Sequence, residues 1–131
     1  MLVTVLIVDT DHGFRWLLKR LLETTLTVAA VVETGNSEEG IRLAKELRPT
    51  IVLLDIAMLH RDGLEAIRRI KTQQPETRVI VLTRDHEGAY RRLAVQSGAD
   101  AVLPKEILTQ KLLYGIRSSV LKNQLAEASL N

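Results

Sequence analysis

The strongest constraint on how this chain folds is a set of five short apolar runs rich in β-branched residues. They are Val3–Val8, Val28–Val32, Ile51–Leu54, Val79–Leu82 and Ala101–Leu103, and they start roughly 22 to 28 residues apart, the length of one βα unit. The runs are nearly continuous in apolar character rather than alternating, as strands buried on both faces of a parallel sheet read. No motif is shared between them, so this is not a sequence repeat. The stretches between them carry helical period. Phe14, Leu17, Leu18, Leu21 and Leu22 fall on one stripe, with Arg15, Lys19, Arg20 and Glu23 mostly off it. Ser37 can cap a helix to about Leu47, with Pro49 beyond its end. Asp62-Gly63 marks a turn before Leu64, Ile67 and Ile70, and a fourth helix is expected from about Glu87 to Gln96. The last is expected to begin near Glu106 and to carry Leu108, Leu112, Leu113, Ile116 and Val120. The sum is an α/β chain, (βα)5, whose strict alternation forces a doubly wound parallel five-stranded sheet. Periodicity leaves two strand orders open, Rossmann-like 3-2-1-4-5 and flavodoxin-like 2-1-3-4-5.

At 131 residues there is room for one domain with a real core. With no cysteine there is no disulfide framework and no thiolate nucleophile or metal ligand. Aromatics are 3% of residues, too few for stacking platforms on single-stranded nucleic acid. The net charge is +2 and no Lys/Arg run exceeds two residues, which reads as a mixed solvated surface. Direct nucleic-acid binding is therefore not expected. The apolar start is too short to span a bilayer, so no membrane role and a cytoplasmic location are expected.

The polar residues that matter follow the strands. In an open parallel sheet, ligands bind outside the carboxyl ends of the strands. Asp9, Thr10 and Asp11 follow the first run, Asp55 the third, Thr83 the fourth, and Pro104-Lys105 the fifth. Carboxylates, a hydroxyl and an ammonium thus converge on one rim. Close carboxylates repel unless a cation joins them, and Mg²⁺ favours oxygen ligands. A carboxylate can also attack phosphorus, and a metal, lysine and hydroxyl around it can hold phosphoryl oxygens. No GxGxxG or GxxxxGK[ST] loop is present to cradle a nucleotide or flavin phosphate, so the phosphoryl group must come from a protein or small donor.

Val8-Asp9, Leu53-Leu54-Asp55, Val81-Leu82-Thr83 and Lys105, with Asp62-Gly63 and Gly98-Ala99-Asp100 in register, resemble the receiver domain of two-component response regulators. Pro104-Lys105-Glu106 is similar to receivers of LuxR/NarL-type regulators. The likeness covers about Val3 to Lys122, implying a receiver domain over 1–122 and a tail or start of a linker helix over 123–131. It also implies strand order 2-1-3-4-5, Asp55 as phosphoacceptor, Thr83 as switch hydroxyl and Lys105 as phosphoryl contact. Asp9, Asp55 and the Ala57 carbonyl are implied as Mg²⁺ ligands. A sensor histidine kinase or phosphotransfer protein is the implied donor, and the protein is a stoichiometric phosphoacceptor rather than an enzyme. The fourth helix, fifth strand and fifth helix are the implied surface for partners or a homodimer.

Several positions depart from the family pattern. Thr10 stands where a second acid is usual, which removes one charge, so Mg²⁺ affinity is expected to fall and Thr10 to contribute weakly or through water. Leu59 replaces a common proline, Arg84 a small residue, and Val102 the usual switch aromatic. These changes support an alternative, an atypical receiver acting as a phosphorylation-independent interaction module. Asp11 reads as a helix cap or a solvated residue. His12, His60 and His86 match no zinc spacing and read as exposed loop residues. Trp16, one residue off the stripe, reads as a partly exposed packing residue. Leu121 and Leu125 extend the last stripe toward a dimer or linker helix.

Overall fold

The computed structural model describes residues 2–25, 27–60, 63–84 and 88–114. The five apolar runs become strands β1 (Val3–Val8), β2 (Val28–Thr34), β3 (Ile51–Asp55), β4 (Arg78–Thr83) and β5 (Ala101–Pro104). Between them lie α1 (His12–Glu23), α2 (Ser37–Leu47), a 3₁₀ turn (Ile56–His60), α3 (Gly63–Gln73) and α4 (Gly88–Gln96). Residues 105–114 form α5 directly after β5. All four pairings are parallel and the order is β2-β1-β3-β4-β5, so the flavodoxin-like arrangement is the one adopted.

Successive strand residues point to opposite faces, and the core divides accordingly. Leu6, Val8, Val52, Leu54, Val79 and Val81 pack toward Ala44 of α2, Ile67 and Ile70 of α3, and Ala94 of α4. Val5, Ile7, Leu53 and Leu82 face Leu18 and Leu22 of α1, with Phe14, Leu108 and Leu112 against them. Both faces of β1, β3 and β4 are covered, which explains their unbroken apolar runs. Edge strand β2 exposes Ala29 and Ala30.

Several expectations need correction. Asn36, not Ser37, caps α2: its side chain accepts from the Glu39 amide at 2.9 Å, and Ser37 is the first helical residue. Glu38 and Glu39 then complement the positive end of the helix dipole. That helix is closed by Arg48 in the left-handed conformation, φ 45°, whose amide donates to the Ala44 carbonyl, and Pro49 beyond it cannot continue the helix. Leu17 and Leu113 turn outward, although both lie on apolar stripes. The helix flanks are narrower than the stripes, so only Leu18 and Leu22 of α1 are fully buried. α5 starts at residue 105, one before the expected position. Asp62, His86, Glu87, the side chain of His60 and residues 115–131, with Ile116, Val120, Leu121 and Leu125, lie outside the described residues.

Gly98-Ala99-Asp100 has a structural role. Gly98 takes φ 112°, and Asp100 Oδ2 accepts from the Val79 amide at 2.8 Å and from Lys71 Nζ at 2.9 Å. Lys71 also donates to the Pro75 and Thr77 carbonyls. One ammonium thereby ties the approach to β4 to the approach to β5.

Candidate phosphoryl-transfer site

Four strand ends deliver the site to one rim. Val8 pairs with Leu54, Asp55 with Leu82, and Thr83 with Pro104, so Asp9, Asp55, Thr83 and Lys105 stand at adjacent carboxyl ends. All four are buried. Lys105 Nζ lies 2.6 Å from Asp9 Oδ2 and 3.6 Å from Asp55 Oδ1, so one ammonium balances two carboxylates. The same ammonium sits 4.4 Å from the centre of the Phe14 ring. That face adds a favourable cation–π term and shields the ammonium from water.

Asp55 is held by its own turn: Oδ1 accepts from the Ala57 amide at 3.2 Å. Burial pushes the Asp55 carboxyl above its ordinary range, and the Asp9 charge adds to the push. Lys105 and the Ala57 amide oppose it. A buried carboxylate with limited hydrogen bonding retains nucleophilic character toward an electrophilic phosphorus. Asp9 is fixed from two sides. Its Oδ1 accepts from the Asp11 amide at 2.8 Å, and its carbonyl accepts from Arg15 Nη1 at 2.6 Å. Arg15 in turn bonds Glu33 Oε1 at 3.1 Å, bracing the β1 end against β2. Arg15 lies off the apolar stripe of α1, six residues past Asp9, and residue order alone does not reveal this brace.

Asp9 Oδ2 and Lys105 Nζ have no aligned hydrogen-bond partner despite their closeness. Two buried carboxylates on one rim, balanced here by a single ammonium, suit a hard divalent cation. Among the described residues no group of three or more His, Cys, Asp or Glu could hold a metal, so the acids in reach are Asp9 and Asp55. Mg²⁺ commonly binds through one or two carboxylates and keeps its waters for phosphate oxygens. The pair therefore fits that ion.

Thr10 is exposed beside this pair rather than buried with it. Asp11 is the N-cap of α1, with Oδ1 accepting from the Phe14 amide at 3.1 Å. That bond, reinforced by the Arg84 and Lys105 charges, holds its carboxyl below the usual range. Its other oxygen accepts from Arg84 Nη2 at 2.8 Å. This contact joins residues 73 apart in sequence, and residue order alone does not reveal it. His12 Nδ1 lies 3.2 Å from Arg15 Nη2 at the exposed start of α1. Trp16 is more than half exposed, with the Arg20 guanidinium 5.0 Å over its ring. Val102 is buried in the core, filling the place where the family pattern has an aromatic.

The arrangement can accept a phosphoryl group: two buried carboxylates, an ammonium between them and a threonine at the adjacent strand end share one rim. Known proteins share this architecture. The transcriptional regulatory protein YdfI of Bacillus subtilis is 33% identical over 126 residues, covering 96% of this chain and 59% of that protein. The chain thus spans little more than half the length of such curated relatives. The response regulator domain of Thermotoga maritima CheB superposes with a TM-score of 0.73 at 26% identity, over 90% of this chain and 96% of that one. A response regulator from Burkholderia pseudomallei, solved with a phosphorylated aspartic acid, calcium ion and citrate, gives 0.74 at 28% identity, over 98% and 75%. The model of the response regulator receiver domain matches residues 5–117, which takes in β2 to β5, all of β1 but its first two residues, and Asp9, Asp55, Thr83 and Lys105. With that match added to the strand order and the converging acids, the chain belongs to the response regulator receiver domain family.

Proposed function

We propose that this receiver takes a phosphoryl group on Asp55 from a sensor histidine kinase or a phosphotransfer protein. The observation that carries the reading is Lys105 set between the two buried carboxylates, 2.6 Å from one and 3.6 Å from the other. An Asp55 oxygen attacks phosphorus, the donor's bond to phosphorus breaks, and Lys105 and the Thr83 hydroxyl receive phosphoryl oxygens. Asp9, Asp55 and the Ala57 carbonyl are the proposed Mg²⁺ ligands, with Thr10 a weak or water-mediated contributor. Bound there, the ion supplies charge neutralisation for the transferring group. Asp9 is braced by Arg15, and Lys105, packed on Phe14, shifts from Asp9 to a phosphoryl oxygen when the group arrives.

New negative charge draws Thr83, and with it the end of β4, toward Asp55. That biases the surface of α4, β5 and α5 between two states. Val102 replaces an aromatic, so the shift passes through Thr83 and the backbone rather than through a rotating ring. This surface exposes Leu93, Val95, Ile107, Leu113 and Tyr114, which supports its use by a partner or a second copy. The domain reading, a receiver over 1–122 with a tail or linker over 123–131, belongs to the same proposal, as does a cytoplasmic setting. Among the described residues, no helix is long and apolar enough to cross a membrane. A module that works without phosphorylation is less well supported, because nucleophile, hydroxyl and lysine are all in place.

Incubation with a small acyl phosphate and Mg²⁺, followed by intact mass measurement, tests the reading. One phosphoryl adduct is expected on the wild type and none on Asp55→Asn. An unmodified wild type would overturn it.

A further inference from the structure

Arg84 follows Thr83 at the end of β4, and its guanidinium reaches Asp11, just past the end of β1. In the sheet, β3 lies between these two strands. A side chain joining their ends therefore crosses the carboxyl end of β3, a span of about 10 Å over two strand spacings. The residue at that end is Asp55. The contact is solvent-exposed, with the Arg84 side chain 62% and the Asp11 side chain 40% accessible. Exposed ion pairs are weak and exchange readily for a better anion. A phosphoryl group offers three acceptor oxygens and nearly two charges, matched to a planar guanidinium.

We propose that Arg84 is a phosphoryl-binding cation, parked on Asp11 in the resting protein and transferred to the phosphoryl group that Asp55 receives. This deepens the function proposed above and rests on it. The charge balance of the rim agrees. Thr10 takes one carboxylate away and Arg84 adds one cation, so the site is biased toward an anionic ligand. Asp11 divides its work between two oxygens: Oδ1 caps α1 and Oδ2 holds Arg84. Asparagine caps a helix as well as aspartate does, so Asp11→Asn frees Arg84 without unseating the helix.

Loss of the phosphoryl group requires a water oxygen to attack phosphorus opposite the Asp55 oxygen. The bond from phosphorus to Asp55 breaks, leaving the carboxylate and inorganic phosphate, and the water's proton passes to phosphate or solvent. A guanidinium moved from Asp11 onto the phosphoryl group covers that line of approach. It therefore lengthens the life of the phosphorylated form.

The test follows the decay of the phosphorylated protein by intact mass after removal of a small acyl phosphate donor. Arg84→Ala is expected to shorten the half-life and Asp11→Asn to lengthen it, each by about twofold to fivefold, the range of an exposed ion pair. A pair that only braced the fold would move both variants the same way. Shifts of equal sign, or no shift in either, overturn the proposal. A second measurement is independent of covalent transfer. Inorganic phosphate titrated into Asp55→Asn is expected to move the Arg84 Nε–H resonance saturably, and this movement disappears against Arg84→Lys as the control. A resonance unmoved by phosphate overturns the proposal. A wild type that takes no adduct refutes the phosphoacceptor reading, and the phosphate titration then decides the role of Arg84.

Discussion

Replacing Lys105 by methionine removes the cation set between two buried carboxylates. The Lys105 side chain is 9% exposed and those of Asp9 and Asp55 are 1% and 3%. Breaking such a pair leaves uncompensated buried charge and costs about 3–5 kcal/mol. Methionine keeps most of the stem against Phe14, so little packing is lost, while the ammonium–ring contact forfeits about 1 kcal/mol. The site has a way to relieve the loss. Burial and Asp9 already raise the Asp55 carboxyl, and without Lys105 it rises further. A carboxyl raised in the folded state binds more protons there than in the unfolded chain. Stability then falls as pH climbs from the ordinary carboxylate range through the folded value. The deficit in Lys105→Met is therefore expected to be about 3 kcal/mol near neutral pH and smaller near pH 5. Mg²⁺ is expected to restore part of it at neutral pH. Urea unfolding followed by circular dichroism measures all three conditions. A deficit equal at both pH values and indifferent to Mg²⁺ would refute the idea that Lys105 balances carboxylate charge.

Further outcomes follow from the same geometry. Asp55→Asn removes a buried carboxylate held above its usual range while Lys105 keeps Asp9, so it is expected to stabilise the fold at neutral pH, with the gain fading toward acid; urea midpoints at two pH values measure it. Thr10→Asp supplies the missing acid, and calorimetry is expected to show Mg²⁺ binding tightened by about tenfold, since charge count tunes such sites. Arg48→Gly relieves a left-handed residue at the end of α2 and is expected to raise stability by about 1 kcal/mol in thermal unfolding.

The parts of the fold legible in sequence are those set by burial on both faces. β1, β3 and β4 are interior strands, and their runs of Val, Leu and Ile mark them without help from neighbours. The site was legible for the same reason, because polar residues abruptly end those runs at Asp9, Asp55 and Thr83. Strand order was not legible in periodicity, since both doubly wound orders bury the same runs; the family resemblance chose between them. Contacts between distant elements stayed hidden. Arg84 meets Asp11, and Lys105 meets the Phe14 ring, only because β4 and β5 lie on the same side of β3. Asn36 took the cap that Ser37 offered because both residues can accept from a helix amide, and the backbone turns one residue earlier. Leu17 and Leu113 show that an apolar stripe can be wider than the face a sheet has room to cover.

The central claim is that Asp55 is the nucleophile. Its most direct test is to locate the phosphoryl group by peptide mapping after brief exposure to a small acyl phosphate with Mg²⁺, trapping the acyl phosphate by reduction. The account predicts modification confined to the peptide carrying Asp55, and at that residue. A phosphoryl group on Asp9, Asp11 or any other side chain, or none at all, would contradict it.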